Sequence, residues 1–317
     1  VKVVLLTGAN GFIGAHIKDH LSEKGYTVIS VDRNLENKVS HDSIGISALL
    51  NGQLKYNEIE AFIHLAARVH QINTKGNDYE SFYNDNCILT QKIADWCNSN
   101  KVKHFIFASS VKVMGDSATQ KKYNENDAPN PDDPYGRSKL EAEKIIEYTL
   151  ANNAFIQTDI IRFPMVYGPD NKGNMLTLLR LAQKKIPLPL AEHSKKRSML
   201  YVGNICDSVM IILKRHEPAG VKKWFLTDGD DKSSGELYSE IYQQMNGRIG
   251  IYAFSLKIVP ILFWFFGKKG KLIYNRLFCQ YVFSSDAFRN YYNWSPPFSF
   301  KDGIGKTVLW YQKNSIS

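Results

Sequence analysis

Short β-branched runs recur through the first half of the chain, at 3–6, 27–31, 61–65, 104–108 and 158–162, separated by longer segments of mixed polarity. Each interval leaves room for a helix. Strand and helix in alternation predict a parallel sheet joined by right-handed crossovers, so the expected fold class is α/β. The helices expected between the strands cover 14–25, 83–99 and 134–152. In the last of these, Leu140, Ala142, Ile145, Ile146 and Leu150 recur at roughly helical spacing. Pro134 suits a first helical position and Asp133 a cap.

Beyond Arg162 the alternation gives way to Pro and Gly punctuation (Pro164, Gly168, Pro169, Gly173, Pro187), as if the chain leaves the sheet to build a binding region. Strand-like runs at 199–202 and 224–227 are expected to return to it. From about Asp231 onward, helical segments and an aromatic-rich stretch at 281–300 show no βα alternation. The pattern therefore predicts a Rossmann-type doubly wound sheet from 1–165 and 198–230, with a smaller interleaved substrate domain from 166–197 and 231–317.

Length and composition agree with this picture. The 317 residues give room for about two domains of ~150. With 44% hydrophobic and 22% charged residues, the chain has ordinary globular usage, which excludes dominant disorder. A net charge of +9 favours an anionic ligand without specifying it. Cys87, Cys97, Cys206 and Cys279 lack CxxC spacing, so a reducing compartment is expected. Positions 1–7 run straight into a glycine turn without the pattern of an export signal, so a cytoplasmic location is expected. The apolar run 258–266 is broken by Pro260 and is far shorter than the ~20 residues of a spanning helix.

The candidate chemistry lies at strand ends. Gly8, Gly11 and Gly14 follow the first predicted strand and open a helix, where they can supply a tight turn, close backbone approach to a pyrophosphate and close helix–strand packing. Asp32 ends the second strand, where a carboxylate can accept the adenosine ribose hydroxyls. It favours NAD over NADP by repelling a 2′-phosphate, although the adjacent Arg33 could pair with that phosphate instead. Tyr135 and Lys139 stand at i and i+4 on one helix face, so a phenol and an ammonium can act together on a sugar hydroxyl. Ser109 and Ser110 end an apolar strand at the edge where open α/β sheets bind ligands, and Ser110 can reach the reacting oxygen.

With these residues in order, together with His64 to Ala67, Asn86, Arg162 to Pro169 and Arg197 to Val202, the chain resembles the extended short-chain dehydrogenases/reductases. Within them it resembles the NAD-dependent nucleotide-sugar epimerase/dehydratase family, over essentially its whole length. The resemblance implies Tyr135 as catalytic acid/base, Lys139 as its electrostatic partner and nicotinamide-ribose ligand, and Ser110 as the family's Ser/Thr. It further implies that Asn10, Phe12, Ile13, Leu65, Ala66, Ala67, Asn86, Ser109, Phe163 and Val166 line an NAD site with the glycines, Asp32 and Arg33. Asn174, Arg197 and Arg276, with Ser110, would bind a UDP-sugar. A homodimer is the implied assembly.

Departures narrow the reaction. Val111 and Lys112 stand where 4,6-dehydratases carry an Asp–Glu pair, and Val111 also replaces the Cys of C3,C5-epimerase/reductases. Met114 and Met165 replace the family's usual Tyr and Asn. What remains is redox chemistry at C4, as in a bacterial surface-polysaccharide UDP-sugar 4-epimerase, with a one-way 4-keto-sugar reductase as the alternative. A non-catalytic NAD(P)-binding protein is disfavoured by the presence of Tyr135, Lys139 and Ser110. No nucleic-acid module accompanies the dispersed basic residues. His16 and His20 have zinc-like spacing, but Ile17 occupies the Glu position of HExxH, and no metal is expected. His64 and His70 are expected to be packed or hydrogen-bonded. The stretch 263–271, aromatic and then lysine-rich, is expected to be a buried helix or a subunit contact rather than a membrane-surface anchor.

Overall fold

The computed structural model describes residues 2–56, 58–68, 79–100, 102–115, 121–188, 190, 195–215, 218–251 and 279–315. His70, Arg276 and the stretch 263–271 lie outside them. The strands are β1 (Val3–Thr7), β2 (Thr27–Asp32), β3 (Ser43–Gly45), β4 (Ile59–His64), β5 (Val102–Ser110), β6 (Lys122–Tyr123), β7 (Gln157–Phe163), β8 (Met165–Tyr167), β9 (Met199–Tyr201), β10 (Gly220–Phe225) and β11 (Val282–Phe283). Seven of them form one sheet in the order β10-β7-β5-β4-β1-β2-β3, with every pairing parallel. The expected α/β, doubly wound architecture is the observed one.

Strand pleating sends alternate residues to opposite faces. Val4, Leu6, Ala61 and Ile63 enter one core, closed by α1 (Phe12–Glu23) and α7 (Val202–Lys214) through Ile17, Leu21, Ile205 and Val209. Val3, Leu5 and Phe62 enter the other, with Ile93 of α4 (Leu89–Ser99) and Ala142 and Ile146 of α5 (Pro134–Leu150). Burial on both faces accounts for the apolar runs in the sequence. A third core lies away from the sheet, where Tyr167, Tyr201, Leu179 of α6 (Asn174–Gln183), Tyr238 and Ile241 of α8 (Ser234–Asn246) and Ile304 meet.

Two details differ from the sequence pattern. Met199–Tyr201 does not rejoin the large sheet; it pairs in parallel with Met165–Tyr167 as a separate two-stranded sheet. Arg197, two residues before this strand, is already bridged to Lys232 and Tyr281, which carries the segment away from the main ladder. The return is made by β10 alone, beginning at Gly220. In addition, the expected helix at 83–99 opens as a π-helical turn, Tyr83–Ile88, before α4. Pro134 does begin α5, and the Asp133 carboxylate caps it by accepting from the Gly136 amide at 2.6 Å.

Candidate active site

The strand order reverses at β1, between β2 and β4, and a cleft of about 230 Å³ opens there at the carboxyl ends of the strands. Gly8 to Gly11, Asp32, Arg33, Ala66 to Arg68 and Asp85 are among the residues that line it. Gly8 has φ +72°, and a β-carbon there would lie 3.0 Å from the Ala66 nitrogen. At Gly14 a β-carbon would fall 2.0 Å from the Gly8 carbonyl oxygen, so only glycine lets α1 pack this closely on the turn. Gly11 caps α1 without a side-chain partner, which leaves the helix's first amides to face the cleft. A cradle of this shape, with a helix N-terminus at one end and the Asp32 carboxylate at the other, fits a dinucleotide.

The floor of the cleft is held by buried polar clasps. Thr90 donates to the Asn86 carbonyl at 2.5 Å, so its oxygen accepts from His64 Nε2 at 3.1 Å. That leaves His64 Nδ1 to accept from Thr7 Oγ1 at 2.7 Å, while Thr7 Oγ1 accepts the Leu65 and Ala66 amides at 3.1 Å each. Burial, with the charge of Lys139, pushes His64 down to about 3 and keeps it neutral. His64 is thus the hydrogen-bonded residue that its sequence context suggested. Asn86 is likewise turned inward: its carboxamide accepts from the Arg68 amide at 2.7 Å and donates to Ser138 Oγ at 2.9 Å.

Ser110 and Tyr135 are brought together. Ser110 Oγ accepts the Lys112 amide at 3.2 Å and stands close enough to the Tyr135 phenol to favour its ionised form. Burial raises Tyr135 to about 12 against the opposing effect of Ser110, and Asp133 adds to the rise. Lys139 is 2% exposed, and its Nζ sits 4.0 Å from the centroid of the Phe107 ring. Burial lowers Lys139 to about 7 while Glu143 pulls it back up. The phenol is therefore protonated at neutral pH, and the lysine is poised between its two charge states.

Below Lys139, one turn further along α5, lies a group that sequence reasoning missed. Glu143 accepts from Arg162 Nε at 3.0 Å and Nη2 at 2.7 Å, and from Ser109 Oγ at 2.5 Å, with both ionic side chains almost fully buried. The Ser109 hydroxyl is thereby engaged inside the protein rather than at the cleft. The i+4 spacing from Lys139 was the available signal for Glu143. Gly136 was a second omission; a β-carbon there would meet the Lys112 carbonyl oxygen at 2.5 Å, so glycine sets the seat of α5 against the turn after Ser110.

The remaining candidates are spread around this centre. Phe163 is buried, while Ile13 and Val166 are partly buried against the first core. Phe12 packs edge-on to His16, whose Nε2 donates to the Pro169 carbonyl at 2.9 Å. Asn10 and Asn174 are exposed, Asn174 at the first position of α6. Arg197 stacks 5.1 Å from the ring centroid of Tyr281, whose hydroxyl donates to the Val111 carbonyl at 2.8 Å. This tie links Arg197, through Tyr281, to the turn that follows Ser110. Arg33 pairs with Asp85, as does Arg68, a residue without any sequence signal.

Residues 4–225 match the NAD dependent epimerase/dehydratase family, and the chain belongs to it. The UDP-glucose 4-epimerase of Vibrio cholerae is 30% identical over 319 residues, covering 97% of this chain and 94% of that protein. Among solved structures, MoeE5 in complex with UDP-glucose and NAD has a TM-score of 0.74 at 22% identity, covering 99% of both chains. The UDP-N-acetylglucosamine 4-epimerase from Bacillus cereus has a TM-score of 0.77 at 21% identity, covering 98% of this chain and 100% of that one. Both share the fold with this chain.

Proposed function

We propose that this protein inverts C4 of a UDP-hexose or UDP-N-acetylhexosamine through a transient 4-keto sugar, using bound NAD. The observation that carries the reading is the seating of α5, with Tyr135 and buried Lys139, through Gly136 against the turn that follows Ser110 at the carboxyl end of β5, beside a cleft whose glycines fit a dinucleotide. Full-length similarity to the Vibrio cholerae UDP-glucose 4-epimerase supports the substrate class. Gly8, Gly11, Gly14, Asp32 and Ala66 would hold NAD, which when bound supplies the hydride acceptor and then the donor at C4.

Tyr135 takes the proton of the C4 hydroxyl as C4 is oxidised, then returns it when the ketone is reduced on its opposite face. Positive charge beside the phenol has to lower it from about 12 for the first step. Ser110 bridges the phenol and the sugar oxygen, keeping the proton's path short. Asn174 and Arg197 would hold the UDP, Arg197 by pairing with the pyrophosphate.

Product analysis by NMR, with UDP-glucose, UDP-GlcNAc and their galacto isomers and with NAD either omitted or supplied, tests the proposal. Interconversion of gluco and galacto forms without net NADH formation is expected. Inertness toward all four sugars, from protein shown to bind NAD(P), would overturn it in favour of a one-way 4-keto reductase.

A further inference from the structure

We propose that Asp85 is a specificity-determining residue for the dinucleotide: it holds Arg33 away from the 2′-position of the adenosine ribose, so the cleft takes NAD and rejects NADP. The inference rests on the dinucleotide reading of the cleft given above.

Arg33 directly follows Asp32 at the end of β2, where an arginine can accommodate the 2′-phosphate of NADP. Its guanidinium is already engaged, with Nη1 2.8 Å from Asp85 Oδ1. The other oxygen of the same carboxylate lies 2.6 Å from Arg68 Nε. Burial alone would raise the Asp85 carboxyl, but the hydrogen bonds from Arg68 and Arg33 outweigh it and hold the group below its ordinary value. It therefore stays charged and keeps both partners.

All four groups line the one cleft, and their charges cancel: Asp32 and Asp85 against Arg33 and Arg68. A 2′-phosphate entering here would find no net positive field. It would have to draw Arg33 off a carboxylate while lying beside Asp32. Free ribose hydroxyls need only the Asp32 acceptor.

The π-helical turn Tyr83–Ile88 makes the arrangement possible, because Asp85 reaches the cleft while its neighbour Asn86 is 2% exposed and clasps the Arg68 backbone. Turns of this kind are frequent at functional sites. With the Arg68 backbone held independently by Asn86, replacing Asp85 releases side chains without removing the segment's anchor. The Asp85 side chain is 24% exposed, so its loss leaves no sealed cavity.

The test is titration of the full chain with NAD and with NADP, for the wild type, Asp85→Ala, Asp85→Asn and Asp85→Ala/Arg33→Ala. Wild type is expected to prefer NAD. Asp85→Ala should tighten NADP binding by about tenfold or more, the size expected of one released charge-assisted pair. Asp85→Asn should move in the same direction, and removing Arg33 as well should abolish the gain. NAD binding by each variant reports that the cleft is still folded. Variants that bind NAD normally but gain nothing toward NADP would overturn the role of Asp85 and leave the epimerase proposal standing. Wild type that binds both dinucleotides equally would overturn it too, and wild type that binds neither would overturn the reading of the cleft along with it.

Discussion

Lys139 and Tyr135 are four positions apart on α5, yet the protein gives them different problems. Burial lowers Lys139 to about 7, so its unfolded counterpart, near its ordinary value, binds more protons over the interval between the two. Stability should therefore rise as pH increases from about 7 toward the ordinary lysine range, whereas below about 7 the full cost of burying the charge is present. Replacing the lysine by methionine (Lys139→Met) should raise the melting temperature at pH 6 and have less effect at pH 9, while lowering activity. Melts of wild type and variant at both pH values check the sign. For the phenol, Tyr135→Phe should reduce kcat by about 10²–10⁴, the usual contribution of a positioned acid/base, with NAD binding kept. Turnover measured beside dinucleotide titration separates the two effects.

Helix α5 is the element that turns a sequence spacing into a site. Asp133 caps it, Pro134 starts it, and its inward face carries Tyr135, Lys139 and Glu143 in succession. Its distance from the turn after β5 depends on Gly136, where an added β-carbon would lie 2.5 Å from a backbone oxygen that cannot rotate aside. Gly136→Ala should cost about 1–3 kcal/mol through overpacking and lower kcat by separating Tyr135 from Ser110. Denaturant unfolding and initial rates on the same variant would show both losses together. The i,i+4 relation was legible because helical spacing is local; the close approach was not, because nothing near Gly136 in sequence names Lys112 as its neighbour.

Across the whole molecule, residues far apart in the chain meet beside the turn that follows Ser110. Tyr281 joins the C-terminal segment to the turn after Ser110 through its hydroxyl and supports Arg197 with its ring. These roles can be separated. Tyr281→Phe should cost about 1–3 kcal/mol in unfolding free energy, by leaving the Val111 carbonyl without this donor, and should change KM little. Tyr281→Leu should in addition raise KM for the nucleotide sugar, because the guanidinium loses its aromatic face. Equilibrium unfolding and steady-state kinetics on both variants distinguish the two contributions.

What short-range physics controls is legible along the chain. Apolar runs and the glycine turn defined βα units, the position of Asp32 marked the end of β2, and helical spacing put Tyr135 and Lys139 on one face. Tertiary structure alone decided which strand-like runs share a ladder, sending Met199–Tyr201 to β8 and Gly220–Phe225 to β7. It also decided the charge partners: Arg33 with Asp85, Arg162 with Glu143, and Lys139 against Phe107. Each of those pairings joins residues from separate elements. Burial and pairing depend on what the fold brings alongside, and neither has a period or spacing to read along the chain.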